Sequence, residues 1–265
     1  MTQPPIRFDN GSAYERGMGV WSRLAGEVFL DWLAPPQGMR WIDIGCGSGA
    51  FTELTMQRCA PAETHGIDPS EPQLAFARTR PGAAGATFHQ GDAMALPFEA
   101  DRFDAAIMAL VIFFVPEPAK GVAEMARVVR PGGTIAAYAW DVLNGGFPFE
   151  PLQAEFRALG VSPSLPPSPD ASRTEVLRAL WENAGLEAVE TRTIEVRRTF
   201  TDFEDFWSAT TAMGSTKPTL AAMSDADAAQ FKERVRARLP ADADGRITYG
   251  ARANAVKGHV PATQT

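Results

Sequence analysis

The feature that most constrains the fold is a glycine-rich turn at residues 45–49, where an apolar run containing Asp43 breaks into Gly-Cys-Gly-Ser-Gly. A helical pattern of apolar residues begins at Phe51. Strand, glycine turn and helix in this order let the backbone approach a nucleotide-like ligand, because no Cβ atom stands in the way. The N–H groups at the start of such a helix can bind an anionic group. The sequence therefore predicts a ligand-binding turn at the end of a strand.

Two further acids follow short apolar stretches. Asp68 lies 23 residues after Gly45, close to the interval expected for an acid that accepts hydrogen bonds from ribose hydroxyls. A carboxylate suits this role because it can accept two hydrogen bonds at once. Asp92, in the sequence Gly-Asp-Ala-Met, could accept from an adenine amino group. As alternatives, Asp68 could belong to an N-cap turn with Ser70, and Asp92 could be a solvated turn residue.

The glycine turn alone is compatible with more than one ligand. Gly45, Gly47 and Ala50 also fit the G-x-G-x-x-G/A pattern of dinucleotide-binding proteins, and the same turn could be purely structural. The alternating glycines, and Asp43 two residues before the first of them, favour S-adenosylmethionine (SAM) over NAD. The amino-acid end of SAM carries an ammonium, a carboxylate and a sulfonium. An acid beside the turn suits the ammonium, and the amides of the turn suit the carboxylate.

In their order along the chain, the motifs resemble those of class I SAM-dependent methyltransferases. The chain is most similar to the branch that includes the ubiquinone and menaquinone C-methyltransferases and many small-molecule methyltransferases. The matching segments are residues 43–49 (Asp-Ile-Gly-Cys-Gly-Ser-Gly), 68–70 (Asp-Pro-Ser), 91–93 (Gly-Asp-Ala), 95–98 (Ala-Leu-Pro-Phe), 103–104 (Phe-Asp), 115–118 (Val-Pro-Glu-Pro) and 130–133 (Arg-Pro-Gly-Gly). The resemblance implies an α/β fold: a Rossmann-like, seven-stranded, mostly parallel sheet with the last strand antiparallel, helices on both faces and a small helical cap.

The resemblance also implies roles for individual residues. The turn residues would contact the methionine end of SAM, Asp68 would bind the ribose, and Asp92 with Ala93 would bind the adenine edge. Gln73 stands where the family often has an apolar residue near the adenine. Tyr14 opens the helical segment before the glycine strand and is expected to close over the methionine end. The candidate cofactor-binding residues are Tyr14, Asp43, Gly45, Cys46, Gly47, Asp68, Pro69, Gln73, Asp92, Ala93, Met94, Ala109 and Leu110. No Cys/His cluster has the spacing of metal ligands, so no metal is expected.

Methyl transfer from SAM is an in-line displacement, so alignment and exclusion of water matter more than a covalent nucleophile. Asp141, after the predicted fifth strand, is the candidate base, although it could instead cap the next turn. Related enzymes often carry a His pair where this chain has Phe113-Phe114, which disfavours a His-assisted mechanism. Without a base, the acceptor must arrive already nucleophilic. The candidate acceptor-pocket residues are Trp21, Phe114, Trp140, Phe206 and Trp207, with ordinary core packing as the alternative for the aromatics.

Length and composition predict one domain over residues 1–265, because 265 residues with 45% hydrophobic content can bury a full core. Within it we expect an N-terminal helical segment (10–34), a SAM-binding core (40–141), a substrate-side insert (142–171) and a helical cap (202–240) between the last two strands. Residues 130–133 are predicted to end a helix with a glycine stop before a strand at 135–140.

Charge and cysteine content limit the partners. A net charge of −7 without any Lys/Arg run argues against a nucleic acid partner. No apolar stretch approaches the length of a membrane span, and the N-terminus lacks an export signal. Two cysteines without a framework are typical of a reducing compartment, so a cytoplasmic protein with a small-molecule substrate is expected. The sequence leaves the oligomeric state open.

Three functions are therefore compatible with the sequence. The first is methylation of an O, N or C nucleophile in a small molecule. The second is a SAM-binding protein without turnover, acting as a sensor or partner subunit. The third is a nicotinamide-dependent oxidoreductase, against which Asp43 and the Pro-Gly-Gly segment argue.

Overall fold

A seven-stranded sheet organises the protein, whose computed structural model describes residues 15–161, 164–211 and 216–262. The strands are β1 (Arg40–Ile44), β2 (Glu63–Asp68), β3 (Thr87–Gln90), β4 (Phe103–Ala109), β5 (Val129–Trp140), β6 (Glu187–Phe200) and β7 (Ile247–His259). Their spatial order is β3-β2-β1-β4-β5-β7-β6. β7 is antiparallel to both β5 and β6, and the other neighbouring strands are parallel. The predicted Rossmann-like sheet with an antiparallel last strand is confirmed.

Helices pack around this sheet. They are α1 (Val20–Leu33), α2 (Ala50–Cys59), α3 (Glu71–Ala77), α4 (Pro118–Val128), α5 (Glu150–Ala158), α6 (Thr174–Asn183), α7 (Phe203–Thr211), α8 (Lys217–Ala221) and α9 (Asp225–Arg238). A π-helical turn (Glu15–Gly19) precedes α1, and a short 3₁₀ turn (Ile112–Phe114) follows β4. Within the described ranges, no helix has the length and apolar character needed to cross a bilayer.

The core lies along the central strands β4 and β5, whose apolar residues are almost completely buried. This explains the nearly continuous apolar runs there, since a strand covered on both faces has no polar side. Tyr138 on β5 packs against Phe29 of α1 and Phe51 of α2, with ring centroids 4.6 and 6.0 Å away. These aromatic contacts hold α1 and α2 against β5.

One predicted boundary is wrong. The glycine stop expected at residues 130–133 lies inside β5, because α4 ends at Val128 and the strand begins with the next residue. The pairing of β5 with β4 shifts register between Phe103 and Ala105, and this irregularity accommodates the Pro-Gly-Gly segment. A helix stop and a strand bulge use the same residue types, so the sequence pattern alone does not separate them.

Helices from two segments that follow β5 contact each other. Along the chain, helices α7, α8 and α9 follow β6 and precede β7, where the sequence predicted helices. The ring of Phe156 on α5 stacks on Phe231 of α9 with centroids 4.6 Å apart. Buried Glu155 on α5 pairs with Arg234 at 2.8 Å and with Arg238, both on α9. These contacts join the 142–171 segment to the helices between the last two strands.

Candidate functional site

A cavity of about 580 Å³ lies at the carboxyl ends of the parallel strands. Its lining includes the ends of β1, β2 and β4, the segment after β3, and residues of α1 and α2. This is the crevice in which open α/β sheets bind ligands, and its volume is within the range of about 300–1,000 Å³ typical of small-molecule and cofactor sites.

Two glycines of the turn serve different purposes. Gly45 and Gly47 both have positive φ, 72° and 52°. A Cβ atom on Gly45 would lie 2.4 Å from Cγ1 of Val111, so the turn could not approach the end of β4 with any other residue there. A Cβ atom on Gly47 would have no neighbour nearer than 4.0 Å. Gly45 therefore serves packing, whereas Gly47 keeps the cavity side of the turn open.

The amides of the turn are largely engaged within the protein. The N–H groups of Gly45 and Cys46 both donate to the carbonyl of Ile67, at 2.7 and 3.0 Å. The N–H of Gly47 donates to Oδ2 of Asp68 at 2.9 Å. The expectation that these amides receive a ligand carboxylate is therefore not supported by the geometry. The Cys46 thiol beside them is buried, which holds its pKa well above the ordinary value.

Asp43 is a buried acid on the cavity wall. The hydroxyl of Thr52 donates to its Oδ2 at 2.6 Å, whereas Oδ1 is buried without a hydrogen-bond partner among the described residues. Burial raises the pKa of Asp43 to about 7, the Thr52 hydrogen bond lowers it, and the negative charge of Asp68 raises it. A buried acceptor without a donor is costly, so this oxygen favours a ligand that brings a cationic donor.

Asp68 links the turn to the end of β2. Its Oδ2 accepts from the Gly47 N–H, and its Oδ1 accepts from the Ser70 N–H at 2.8 Å. Burial raises the pKa of Asp68, and the two backbone hydrogen bonds lower it. Each carboxylate oxygen retains acceptor capacity, because an ionised carboxyl group offers about four lone-pair sites. The acid is thus held in place while still able to accept from a pair of hydroxyls.

Another part of the lining comes from the segments that follow β3 and β4. Asp92 is exposed and forms a tight turn, with Oδ1 accepting from the Met94 N–H at 2.8 Å. Leu110 has φ +63°, and its N–H donates to the carbonyl of Tyr138 at 2.8 Å. A left-handed conformation costs a leucine about 1–2 kcal/mol, and such strain is often found at ligand sites.

The structure brings the predicted cofactor-binding residues together. Tyr14 lies outside the described residues. All the others line the cavity: Asp43, Gly45, Cys46, Gly47, Asp68, Pro69, Gln73, Asp92, Ala93, Met94, Ala109 and Leu110. Several lining residues were not predicted from the sequence, among them Ser22, Arg23 and Tyr138. Tyr138 carried a signal, because it lies near the carboxyl end of β5, whereas the α1 residues reach the cavity only through helix packing.

Of the five predicted acceptor-pocket residues, only Phe114 lines the cavity. Phe114 lines the cavity beside Val115, and the Ser168 hydroxyl donates to the Val115 carbonyl at 2.8 Å. The other four aromatics lie away from the cavity, because they pack into the core. Trp21 packs on Tyr249, Phe206 on Phe200, Trp207 on Phe203, and Trp140 is 2% exposed. Among the described residues, none that follows Tyr138 in the sequence lines the cavity.

Asp141 also lies away from the cavity lining. Its Oδ2 pairs with Nη2 of Arg252 at 2.7 Å, and its Oδ1 accepts from the Asn144 side chain at 2.9 Å. Both oxygens are occupied by neighbours on β7 and the following turn, so the geometry does not support Asp141 as a base. The lining residues that the structure describes include no histidine and no lysine.

Residues 42–137 match a family model described as a methyltransferase domain. They run from β1 to β5 and contain the glycine turn and all three strand-end acids. Residues 42–137 form a class I SAM-dependent methyltransferase domain.

Curated relatives share this domain. The chain is 34% identical over 125 residues to the ubiquinone/menaquinone biosynthesis C-methyltransferase UbiE of Roseobacter denitrificans, covering 46% of this chain and 50% of the relative. It is 32% identical over 157 residues to a fatty-acid O-methyltransferase of Mycolicibacterium smegmatis, covering 59% and 54%. The chain thus spans about half the length of the curated relatives it matches.

A solved structure supports the fold. Phosphoethanolamine N-methyltransferase 2 of Haemonchus contortus, in complex with phosphomonomethylethanolamine and S-adenosylhomocysteine, superposes with a TM-score of 0.57 at 20% identity. The match covers 96% of this chain and 58% of that one. At this identity the similarity establishes the arrangement of strands and helices that carries the methyltransferase domain.

Proposed function

We propose that this protein is a SAM-dependent methyltransferase that acts on an O, N or C nucleophile of a small molecule. The observation that carries the proposal is the meeting of Asp43, Asp68 and Asp92 with the glycine turn in one cavity. The similarity to a quinone C-methyltransferase and a fatty-acid O-methyltransferase supports a small, fairly apolar acceptor.

The residues present fit SAM. The unpartnered buried oxygen of Asp43 would receive the donor's ammonium, a charge-assisted hydrogen bond that removes the cost of leaving this oxygen without a donor. Asp68 would accept from the ribose hydroxyls while the Gly47 and Ser70 amides hold it in place. Asp92 and Ala93 would contact the adenine edge. Three acids in the lining of one cavity also favour a ligand that carries a sulfonium charge.

Bound SAM supplies a methyl group on a sulfonium, which is a good leaving group. The chain's contribution is to orient the reactants and exclude water. Leu110, Val111 and Phe114 give the cavity an apolar wall that suits this task. The described lining offers no histidine or lysine, and its three acids are assigned to the donor. We therefore expect an acceptor that arrives as a phenolate, a carboxylate, a neutral amine or a stabilised carbanion.

The lack of a histidine, a lysine or an acid not assigned to the donor in the described lining favours a second candidate function. A protein that binds SAM without turnover, as a sensor or partner subunit, needs the donor site but no base. Asp141, the one base that the sequence predicted, is held by Arg252. Binding of SAM without methyl transfer to any member of a broad acceptor panel would favour this candidate.

Calorimetry with SAM, S-adenosylhomocysteine and NAD tests the proposal. We expect the first two to bind and NAD not to bind. Asp68→Asn should weaken S-adenosylhomocysteine binding about tenfold, since a hydrogen bond to a charged group contributes about 1.5–3 kcal/mol. Asp31→Asn is the matched control, because Asp31 is an exposed acid that pairs with Arg58 and does not line the cavity.

Turnover requires a separate measurement. Phenols, quinol precursors, amines and carboxylic acids should be assayed for release of S-adenosylhomocysteine, and we expect at least one class to give it. Absence of heat with both SAM and S-adenosylhomocysteine on folded protein would refute the proposed function.

A further inference from the structure

Two histidines outside the cavity form a hydrogen-bonded pair. Nδ1 of His65 on β2 lies 2.8 Å from Nε2 of His89 on β3, and the two rings stack with centroids 5.0 Å apart and an interplanar angle of 12°. His65 is buried and His89 is half-buried. β3 is a short strand at the edge of the sheet, where it pairs with β2. The His65–His89 pair therefore joins the side chains of an edge strand to the rest of the sheet.

The ring nitrogens limit how many protons the pair can hold. Nε2 of His65 lies 2.7 Å from Oε1 of Glu63, and an ionised carboxylate only accepts, so this nitrogen carries a proton. In the neutral pair, Nδ1 of His65 then accepts from the Nε2–H of His89. One added proton is compatible with this bond, because one of the two facing nitrogens still accepts. A second added proton places two N–H groups and two positive charges against each other, so the bond is lost.

The carboxylate next to the pair already serves other cations. Glu63 forms an ion pair with Arg102, in addition to its contact with His65. Arg40 lies beside Glu63 in the register of β1 and β2, and its own partner is Asp104. In the part of the chain that the structure describes, no other carboxylate makes a hydrogen bond or an ion pair with either imidazole. The charge of Glu63 is thus balanced before the pair takes up a proton.

The other neighbours of the pair are apolar or positive. The ring of Phe103 on β4 meets the imidazole of His65 edge-on, with centroids 5.4 Å apart. Arg78, the residue after α3, pairs with Glu71. Burial lowers the pKa of His89, and the positive charges of His65 and Arg78 lower it further. Because this pKa is below its ordinary value of 6.5, the folded state becomes less stable as pH falls below about 6.5.

The pair is attached to the segment that lines the adenine side of the proposed donor site. Residues 91–94 of the cavity lining follow His89 after a single residue. The N–H of Gly91 donates to the carbonyl of Asp68 at 3.2 Å, which continues the contact between β3 and β2. Further along, the ring of Phe98 meets both imidazoles edge-on, with centroids 5.5 and 5.1 Å away. This segment therefore contacts the pair at both of its ends.

The two ends are not held equally. Arg127 on α4 donates to the carbonyls of Leu96 and Phe98, at 2.9 and 2.7 Å. The Leu96 N–H donates to Glu124, also on α4, at 2.7 Å. These bonds do not involve the histidines. When the contact between the imidazoles is lost, we expect residues 91–92 to move while the part of the segment near Leu96 stays in place.

We propose that the His65–His89 pair is an acid-sensitive switch of the donor site. With no more than one added proton, the pair holds β3 against β2 and keeps residues 91–94 in the cavity wall. With two added protons the imidazoles separate, the adenine side of the wall shifts, and donor affinity falls. The inference rests on the proposed function, since it concerns the regulation of the same site.

The test replaces one imidazole by a group that keeps the contact without titrating. In His89→Gln, the side-chain amide can donate to neutral His65 or accept from its protonated form. Affinity for S-adenosylhomocysteine is measured by calorimetry at pH 7.5 and pH 5.5. We expect both proteins to bind equally at pH 7.5, and the wild type to bind about threefold more weakly than the variant at pH 5.5. The titration of Asp43 is common to both proteins and cancels in this comparison.

Two further variants complete the design. His65→Gln removes the second charge from the other ring and should give the same result as His89→Gln. His259→Gln is the matched control, because His259 is an exposed histidine at the end of β7, and it should behave as the wild type. Thermal unfolding at pH 7.5 shows which variants are folded.

Hydrogen exchange monitors the switch without a ligand. After correction for the intrinsic rate, amides of residues 87–92 should lose protection between pH 7.5 and pH 5.5 in the wild type and keep it in His89→Gln. Equal protection and equal affinity in the two proteins at both pH values would overturn the switch while the proposed function stands. If the wild type binds no S-adenosylhomocysteine at pH 7.5, the proposed function fails, and regulation of donor binding by the pair fails with it.

Discussion

Asp43 is expected to make ligand affinity depend on pH. Its pKa in the free protein is about 7, chiefly because it is buried, so much of it is neutral below neutral pH. A ligand ammonium binds the ionised form. The apparent affinity then scales with the ionised fraction, which rises from roughly one tenth at pH 6 to about half at pH 7. S-adenosylhomocysteine should therefore bind about fivefold more tightly at pH 7 than at pH 6.

Calorimetry across this pH range, in buffers of different ionisation enthalpy, measures both the affinity and the protons released. Asp43→Asn should bind weakly and without this slope, because an amide does not titrate there. Thr52→Val removes the hydrogen bond that lowers the pKa of Asp43, so the slope should move to higher pH. Asp68→Asn is the second control, since loss of its charge should move the slope to lower pH.

The stability of the free protein gives an independent readout with a defined sign. The pKa of Asp43 is higher in the folded state than in the unfolded chain, so its contribution to stability is fully present below about pH 4. This contribution is lost as pH rises towards about 7. The Asp43→Asn variant should lack this loss. Wild-type affinity that stays flat between pH 6 and pH 7, or a variant that keeps the slope, would refute the reasoning.

Three further outcomes are expected. Gly45→Ala should reduce thermal stability far more than Gly47→Ala, because a Cβ atom on residue 45 would lie 2.4 Å from Cγ1 of Val111. A Cβ atom on residue 47 meets no such neighbour, so Gly47→Ala should cost only about 1–2 kcal/mol of backbone strain. Equal losses of thermal stability in the two variants would contradict this. Phe231→Ala should cost about 3–5 kcal/mol of unfolding free energy in denaturant titrations. The same variant should leave SAM affinity unchanged, because the Phe231 ring stacks on Phe156 away from the cavity. A parallel loss of SAM affinity would show that the contact between α5 and α9 affects the donor site. The pKa of Glu63 is lowered to about 2, mainly by Arg102, so Glu63→Gln should reduce stability at neutral pH by an amount that shrinks as pH falls from about 4.5 to about 2; a pH-independent difference would argue against this ion pair.

The donor half of the site was predictable from sequence because each of its residues ends a strand. Parallel strands place their carboxyl ends at one edge, so Asp43, Asp68 and Asp92 meet wherever the intervening helices lie. Local sequence carries this information, and the glycines that break the strand pattern mark the position.

The rest depends on packing that local sequence does not encode. Trp21 and Phe206 are large aromatic residues of the kind expected to line an acceptor pocket, yet both pack against Tyr249 on β7. Asp141 follows the end of a strand, as Asp92 does, but it forms an ion pair with Arg252 on the neighbouring antiparallel strand β7. Arg23 gave no signal, because nothing in an amphipathic helix shows which of its charged residues faces a cavity.

The placement of α7, α8 and α9 has a consequence for how such a protein diversifies. Both chain connections of this insertion are made to β6 and β7, at the far margin of the sheet, with β5 and β4 between them and β1. The length and sequence of this insertion can therefore change during evolution without moving the glycine turn. We expect chimaeras that exchange residues 201–246 between relatives to retain their thermal response to S-adenosylhomocysteine.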